Sequence, residues 1–182
     1  MIQRVHILGA TGSGTTTLGA AVAEKIDYAH FDNDNYFFES KNNLFTVPRR
    51  PVMRDSMLDY DLRSTPAWVL SGAVCGWGDF IMRYFDLVVF LKVPLAQRMQ
   101  RIKAREEKLG RKIDDPRHPR YRKYQNFIKW ASAYETGGND MRSLAQHEEW
   151  LQKLACPVLR IEGDSPLAEN MQRVVDYIAE LS

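Results

Sequence analysis

The sequence has few of the features that mark membrane, secreted or disulfide-stabilised proteins. No apolar run approaches the roughly 18 residues that a membrane-spanning helix needs, and the N-terminal run from Val5 to Leu8 is too short for a signal sequence. Only two cysteines occur in 182 residues, and the four histidines show no zinc-ligand spacing. With 45% hydrophobic residues, the chain can bury a core without covalent links. We therefore expect a single domain, residues 1–182, in a reducing cytoplasm and without a membrane partner.

A strong excess of either charge is also missing, but only on average. The net charge is +2. Residues 98–129 contain twelve basic and four acidic residues, a net charge of +8, which leaves −6 for the rest of the chain. This uneven distribution predicts an anionic partner for the basic segment.

Five short apolar segments alternate with helical patterns. Strands are predicted at residues 4–8, 28–32, 67–71, 86–93 and 157–162. Helices are predicted at residues 15–26, about 53–63, 95–109, 139–154 and 166–181, with Asn139 and Asp140 as caps of the fourth and His147 on its surface. Residues 111–138 show helical periodicity only from Phe127 to Tyr134. The alternation predicts an α/β protein with a parallel sheet and right-handed crossovers.

A glycine-rich segment, Gly9-Ala-Thr-Gly-Ser-Gly-Thr-Thr16, joins the first strand to the first helix. At such a junction, glycines let backbone N–H groups surround a phosphate at the helix N-terminus. Gly9, Gly14 and Thr16 fit the G-x-x-x-x-G-K-[ST] pattern, but Thr15 stands in the lysine position. The predicted nucleotide-binding residues of this segment are Gly9, Gly12, Ser13, Gly14, Thr15, Thr16 and Thr17.

Two carboxylates, Asp32 and Asp34, follow the second strand at the sheet edge where open α/β sheets bind ligands. In an extended chain their side chains would share a face. Transfer of a phosphoryl group to a hydroxyl uses one carboxylate to orient or deprotonate that hydroxyl, and another can serve Mg²⁺ directly or through water. We favour Asp34 for the hydroxyl and Asp32 for the metal, and the reverse assignment is the alternative.

Arginines recur at helical spacing after the fourth strand. Arg98, Arg101 and Arg105 fall on one helix face, which is either functional or simply solvated. A threonine hydroxyl carries no charge. Either an arginine of the basic segment or Arg142 supplies the charge that Thr15 lacks, or the protein binds a nucleotide and transfers phosphate poorly or not at all.

Together these motifs resemble the P-loop nucleoside and nucleotide kinases, the broad family that includes adenylate, shikimate and uridine kinases. The resemblance covers nearly the whole chain and also rests on Ser71-Gly72, Val93-Pro94-Leu95 and Glu162-Gly163. It implies a three-layer P-loop NTPase fold, with a five-stranded parallel sheet in the order 2-3-1-4-5. It also implies a core of residues 1–110 and 139–182, an acceptor-binding segment at 40–64 and a helical lid at 111–138.

The resemblance also implies roles for further residues. Arg105 matches the arginine that opens the lid, Arg142 matches a second arginine after it, and Gly163 follows the fifth strand in the nucleotide site. Thr16 and Asp32 are the implied Mg²⁺ residues. Lid arginines are expected at Arg117, Arg120 and Arg122, and acceptor-binding residues at Arg54, Gly72 and Trp77, besides the two aspartates.

Three functions remain open at this point. The first is an ATP- and Mg²⁺-dependent phosphotransferase acting on a nucleotide, nucleoside or small hydroxylated metabolite. The second is a nucleotide-binding switch with weak or no catalysis, because the loop lysine is absent. The third is a nucleic-acid-binding module that uses the 98–129 segment, which the acidic remainder of the chain disfavours.

Overall fold

The computed structural model describes residues 1–39, 47–111 and 113–181. Residues 40–46 of the predicted acceptor-binding segment and Lys112 of the predicted lid lie outside the described residues. The strands are β1 (Arg4–Gly9), β2 (Ala29–Asp32), β3 (Trp68–Ser71), β4 (Leu87–Lys92) and β5 (Val158–Glu162). The helices are α1 (Thr15–Ile26), α2 (Asp34–Phe37), α3 (Pro51–Ser64), α4 (Leu95–Lys108), α5 (Pro119–Ser132), α6 (Leu144–Leu151) and α7 (Leu167–Glu180), with a 3₁₀ helix at Asp79–Tyr84.

The five strands form one parallel sheet in the order β2-β3-β1-β4-β5. This confirms the predicted fold class and strand order. The central strands β1 and β4 are buried along almost their whole length, which explains their continuous apolar sequences. Because all strands run in one direction, their carboxyl ends lie at one edge of the sheet.

Helices cover both faces of the sheet and form two hydrophobic clusters. On one face, α1 and α7 pack on β1 and β4 through Leu18, Val22, Val174 and Ile178. On the other, α3, α6 and the 3₁₀ helix contribute Leu58, Leu62, Ile81, Trp150 and Leu151. Their side chains give the three-layer arrangement that holds the strand ends in place.

The region after β4 differs from the prediction in two respects. Helix α5 begins at Pro119, earlier than the periodicity indicated. Helix α6 begins only at Leu144, because the Ser143 hydroxyl, and not Asn139 or Asp140, accepts the hydrogen bond that caps it, from the Gln146 N–H at 3.0 Å.

The predicted surface position of His147 is wrong. Its side chain is buried, and its Nδ1 lies 2.8 Å from the Tyr134 hydroxyl. Here tertiary packing turns the only histidine of α6 inward, although its sequence neighbours are charged. No helix among the described residues is long and apolar enough to span a membrane. Cys75 and Cys156 are both free thiols.

Candidate active site

A cavity of about 720 Å³ lies at the carboxyl ends of the strands. Its walls bring together the glycine-rich loop, the end of β2, the turn after β3, α4 and the start of α7. The lining residues are Gly9 to Leu18, Asp32, Asn33, Asp34, Gly72, Ala73, Leu91, Arg101, Ile102, Arg105, Arg142, Ser165, Leu167 and Asn170. All the glycines, serine and threonines predicted for the phosphate loop therefore border one cavity.

The loop owes its path to glycines in conformations that other residues rarely adopt. Gly12 and Gly14 have φ values of +83° and +95°. At Gly9 the backbone is not left-handed, but a Cβ there would lie 2.5 Å from the Leu91 carbonyl oxygen. The sequence spacing is thus required both by backbone torsion and by close packing against β4.

The loop ends in the first turn of α1, which starts at Thr15. No side chain caps this helix, and its first turn contains no acidic residue. Its N-terminal amide groups and partial positive charge can therefore serve an anion in the cavity. Thr16 and Thr17 are exposed beside them and offer two hydroxyl groups.

The two aspartates both line the cavity, but the expected extended geometry is wrong. Asn33 has helical torsion angles, and Asp34 is the first residue of α2. The Asp34 N–H donates to the Asp32 Oδ1 at 3.0 Å, which ties the two residues together through the backbone. Asp32 thus closes the turn from which Asp34 projects.

The pKa of Asp34 is raised to about 6, mainly by burial and also by the negative charge of Asp32. Arg142 and Arg105 act in the opposite direction and lower the pKa. Asp34 is therefore a carboxylate that takes up and releases a proton close to neutral pH, which suits a general base.

Asn33 and Gly72 fix this turn to the end of β3. The buried Asn33 side-chain amide donates to the Ala73 carbonyl at 2.6 Å. Gly72 has a φ of +91°, and a Cβ there would lie 2.2 Å from the Asn33 Oδ1. Gly72 therefore lines the cavity and also leaves the space in which Asn33 anchors the aspartate turn.

The arginines of α4 do not form one solvated face. Arg98 is fully buried and donates to the carbonyls of Val93, Thr11 and Ala131 and to Glu135. Arg101 and Arg105 instead line the cavity, as does Arg142. The helix thus uses one arginine to join the glycine-rich loop to the end of α5, and two to line the site.

Five predicted site residues that bear long side chains lie outside this lining. The Arg54 guanidinium packs on Phe37 and Trp77, at 5.0 and 4.8 Å from their ring centres, and its Nε donates to Asp55 at 2.9 Å. Arg117, Arg120 and Arg122 lie in or just before α5, and the Arg117 side chain is 92% exposed. Gly163, with a φ of +100°, donates its N–H to the Lys92 carbonyl at 3.0 Å and positions the turn before Ser165.

Part of the basic segment is neutralised within the protein. Arg98 is buried and paired with Glu135, and Arg101 is paired with Asp164; both carboxylates lie outside residues 98–129. The exposed positive charge is therefore smaller than the sequence window suggests. This weakens the case for nucleic-acid binding by this segment.

Sequence reasoning missed several residues that shape the site. No motif in the sequence singles out Asn33 or Asp164. Arg101 could not be separated from Arg98 and Arg105, because helical spacing groups all three. Its signal lay in the four-residue periodicity of α4, which could have placed Ile102 and Arg98 in the protein and Arg101 at its edge.

Comparisons with known proteins identify relatives of this chain. No model of a known protein family matches the sequence. The uncharacterized protein YqaC of Bacillus subtilis (strain 168) is 43% identical over 180 residues, which cover 98% of this chain and 99% of the relative. A cytidylate kinase of Natronomonas pharaonis is 28% identical over 157 residues, which cover 76% of this chain and 81% of that protein.

The fold also matches solved structures. Shikimate kinase from Bacteroides thetaiotaomicron has a TM-score of 0.61 and 19% identity, over 98% of this chain and 99% of that one. Together with the sheet order and the glycine-rich loop, this likeness shows the three-layer P-loop NTPase fold. By its similarity along almost the entire sequence, the chain belongs to the same protein family as YqaC of Bacillus subtilis.

Proposed function

We propose that the protein is an ATP-dependent phosphotransferase whose acceptor is a hydroxyl group of a nucleoside, nucleotide or small metabolite. The observation that carries this proposal is the position of Asp34, which faces the same cavity as the phosphate loop and the arginines. A carboxylate there can act on an acceptor while the loop holds the donor phosphates. Two more distantly similar proteins, a cytidylate kinase and a shikimate kinase, support the same reaction class.

The donor phosphates would lie on the loop from Gly9 to Thr17. The Ser13 N–H donates to the Ala10 carbonyl at 3.0 Å, so the amide groups of Gly14 to Thr16 would hold the β-phosphate, and α1 would contribute its N-terminal partial charge. The turn from Gly163 to Leu167 would border the base or ribose, because Ser165 and Leu167 line the cavity beyond the loop.

The residues present also fit Mg²⁺. The Thr16 hydroxyl and the Asp32 carboxylate both border the cavity and are hard oxygen ligands. Mg²⁺ commonly uses one or two such protein ligands together with phosphate oxygens and water. When bound, the ion would neutralise phosphate charge, and Thr16 and Asp32 are the residues that would hold it.

In the transfer step, Asp34 would accept the proton of the acceptor hydroxyl. The hydroxyl oxygen forms a bond to the γ-phosphorus as the bond from that phosphorus to the β,γ-bridging oxygen breaks, and ADP leaves with the electron pair. The products are ADP and a phosphate ester, with the proton on Asp34. Arg105 and Arg142, whose charges already act on Asp34, would stabilise the charge on the phosphoryl oxygens.

The remaining predicted residues have roles that depend on ligands. Residues 40–64, with Arg54, Gly72 and Trp77, would form the acceptor side. Arg54 packs on Phe37 and Trp77, and none of the three lines the cavity, so Arg54 and Trp77 would support the acceptor side through this packing. Arg117, Arg120 and Arg122 of the lid, residues 111–138, would approach the phosphates only when the lid closes.

Thr15 favours a second candidate, a nucleotide-binding protein with little catalysis. Loss of one preorganised cationic donor costs on the order of 10²- to 10³-fold in rate unless another group replaces it. Binding and turnover must therefore be measured separately.

The test is ATP consumption with Mg²⁺ across nucleosides, nucleoside monophosphates and small hydroxy acids, together with equilibrium ATP binding by calorimetry. We expect transfer to at least one acceptor, and a loss of about 10³-fold or more in Asp34→Asn with ATP binding retained. Asp176→Asn, an exposed change on α7, is the matched control and should behave as the parent protein. ATP binding without transfer to any acceptor would favour the second candidate.

A further inference from the structure

The phosphate loop has no positive charge of its own. Residues 9–17 contain no lysine or arginine, and Thr15 takes the lysine position. A β- or γ-phosphate on this loop would meet amide groups and hydroxyls only. A polyphosphate carries several negative charges, so a cation must come from another element if the loop is to bind it tightly.

Arg101 lies on the loop. Its Nη1 donates to the Ser13 carbonyl at 2.8 Å. A Cβ built on Gly14 would lie 3.5 Å from the same Nη1. The guanidinium thus contacts the loop at Ser13 and lies next to Gly14, the residue before Thr15.

The other two cavity arginines have different surroundings. Arg105 is about half exposed and lies 3.7 Å from Glu106, while Arg142 lies over the Trp130 ring at 5.9 Å. Both line the cavity together with Asp34, and no hydrogen bond from either to residues 9–17 is seen among the described residues. In the part of the chain that the structure describes, Arg101 is the arginine whose side chain contacts Ser13.

The position of Arg101 is also set by its own helix, α4. A Cβ on Gly12 would lie 2.7 Å from the Arg98 carbonyl oxygen, so the loop and α4 are in direct backbone contact. Arg98 additionally donates to the Thr11 carbonyl at 3.3 Å. Because α4 contacts the loop in both of these ways, the backbone of Arg101 is held beside the loop.

A carboxylate currently holds the other end of this guanidinium. Arg101 Nη2 forms a salt bridge with Asp164, in the turn after β5. Both side chains are partly exposed, at 42% and 35%, so the pair is easily broken. A phosphate oxygen can replace this carboxylate oxygen and brings a larger negative charge, and a guanidinium can bind a phosphate through two N–H groups.

We infer that Arg101 supplies the positive charge of the missing loop lysine. Asp164 holds the Arg101 guanidinium on the loop until the phosphates of a nucleoside diphosphate or triphosphate replace the Asp164 carboxylate. This inference rests on the proposed function, because it requires that the loop binds a nucleotide. It assigns the compensating charge to the helix after β4, whereas Arg105 and Arg142 serve the transferred group and the acceptor.

The experiment measures the binding of ATP, ADP and adenosine by calorimetry to the full chain. Arg101→Gln removes the charge but keeps a group that can donate to Ser13, and Arg101→Lys keeps the charge. We expect Arg101→Gln to weaken ATP and ADP binding by about tenfold or more, with adenosine binding changed less than about twofold, and Arg101→Lys to retain most of the affinity. Lys103→Ala, which removes an exposed charge from the same helix, is the control and should leave all three affinities unchanged.

Two further variants test the replacement itself. Thr15→Lys should restore ADP affinity in the Arg101→Gln background and add much less to the parent protein, because the two cations would share one place. Asp164→Asn should tighten ADP binding by about two- to fivefold, and only while Arg101 is present.

The possible failures are distinguishable. If the parent protein binds ATP but Arg101→Gln binds ADP as well as Lys103→Ala does, the inference is wrong and the proposed function stands. An equal loss of adenosine and ADP binding would place Arg101 on the base and also overturn the inference. If Thr15→Lys gives no rescue, Arg101 does not replace the lysine. A folded parent protein that binds neither ATP nor ADP would refute both the inference and the proposed function.

Discussion

Asp32 accepts a hydrogen bond at 3.0 Å from the backbone N–H of Asp34, so the two carboxylates are joined by a closed turn and not by an extended strand. One oxygen of Asp32 is thereby engaged with the backbone, and its charge remains close enough to raise the pKa of Asp34. The two acids consequently differ: Asp32 is an anchored carboxylate, and Asp34 is the carboxyl group whose pKa is raised.

The first prediction concerns the pH dependence of transfer. Because the pKa of Asp34 is raised from 3.8 to about 6, the base is protonated at acid pH, and kcat/KM should fall about tenfold per pH unit below about 6. Asp32→Asn removes a charge that raises this pKa, so Asp34 should titrate at lower pH. Carbon-13 NMR titration of the free protein checks this directly, with the Asp34 signal assigned by its loss in Asp34→Asn. An Asp34 that titrates near 4 in the parent protein would contradict the prediction.

The second prediction concerns Gly72. Gly72→Ala must adopt a φ of +91° and place its Cβ against Asn33, so we expect a destabilisation of about 3 kcal/mol and weaker nucleotide binding. Gly110→Ala is the matched control, because φ is +63° there but no atom lies within 4 Å of the added Cβ, and it should cost only about 1 kcal/mol. Urea unfolding measures both free energies. Equal losses would show that the Asn33 contact is unimportant.

The third prediction concerns Arg98. Arg98→Met leaves Glu135 unpaired and removes the donors to Thr11, Val93 and Ala131, so the free energy of unfolding should fall by about 3 to 5 kcal/mol. Arg117→Met, at a side chain that is 92% exposed, should change it by less than about 0.5 kcal/mol. Chemical denaturation at pH 7 compares the two, and a small effect at Arg98 would mean that water reaches these carbonyls.

The fourth prediction concerns stability in acid. Burial lowers the pKa of His6 from 6.5 to about 4 and that of His147 from 6.5 to about 3. Below pH 6.5 the unfolded chain binds protons that the folded protein does not, so stability present above 6.5 is lost as the pH falls toward the folded-state values. Each histidine can contribute a slope of up to about 1.4 kcal/mol per pH unit. Asp34 acts with the opposite sign between about 6 and 3.8 and offsets part of this loss.

Unfolding free energies at about pH 7.5, above that window, and at about pH 6, 5 and 4.5, within it, measure the slope. His147→Gln and His6→Gln should each reduce it, because each removes one group that is neutral only in the folded protein. Gln172→Ala, an exposed change on α7, should leave the slope intact. A slope that neither histidine variant reduces would contradict the prediction.

Much of the fold could be predicted because its signals are local. The apolar runs of β1 and β4 and the spacing of Gly9, Gly12 and Gly14 are properties of short segments, and the structure has the strands and sheet order that they indicated. The start of helix α6 and the burial of His147 could not be predicted in this way. The Ser143 cap decides where the helix begins, and the hydrogen bond with Tyr134 accompanies the burial of His147; both depend on contacts that several polar residues of the segment could have made.

For the site, the sequence by itself determined the phosphate loop, the absence of its lysine and the presence of two aspartates near the end of β2. Only the tertiary structure separated Arg98 from Arg101, since both lie on α4 and carry the same charge. Burial against Glu135 makes one a structural link, and contact with Ser13 and Asp164 places the other at the cavity. Burial and charge neighbours are set by elements distant in sequence, and these decide which identical side chains hold the protein together and which remain available to a ligand.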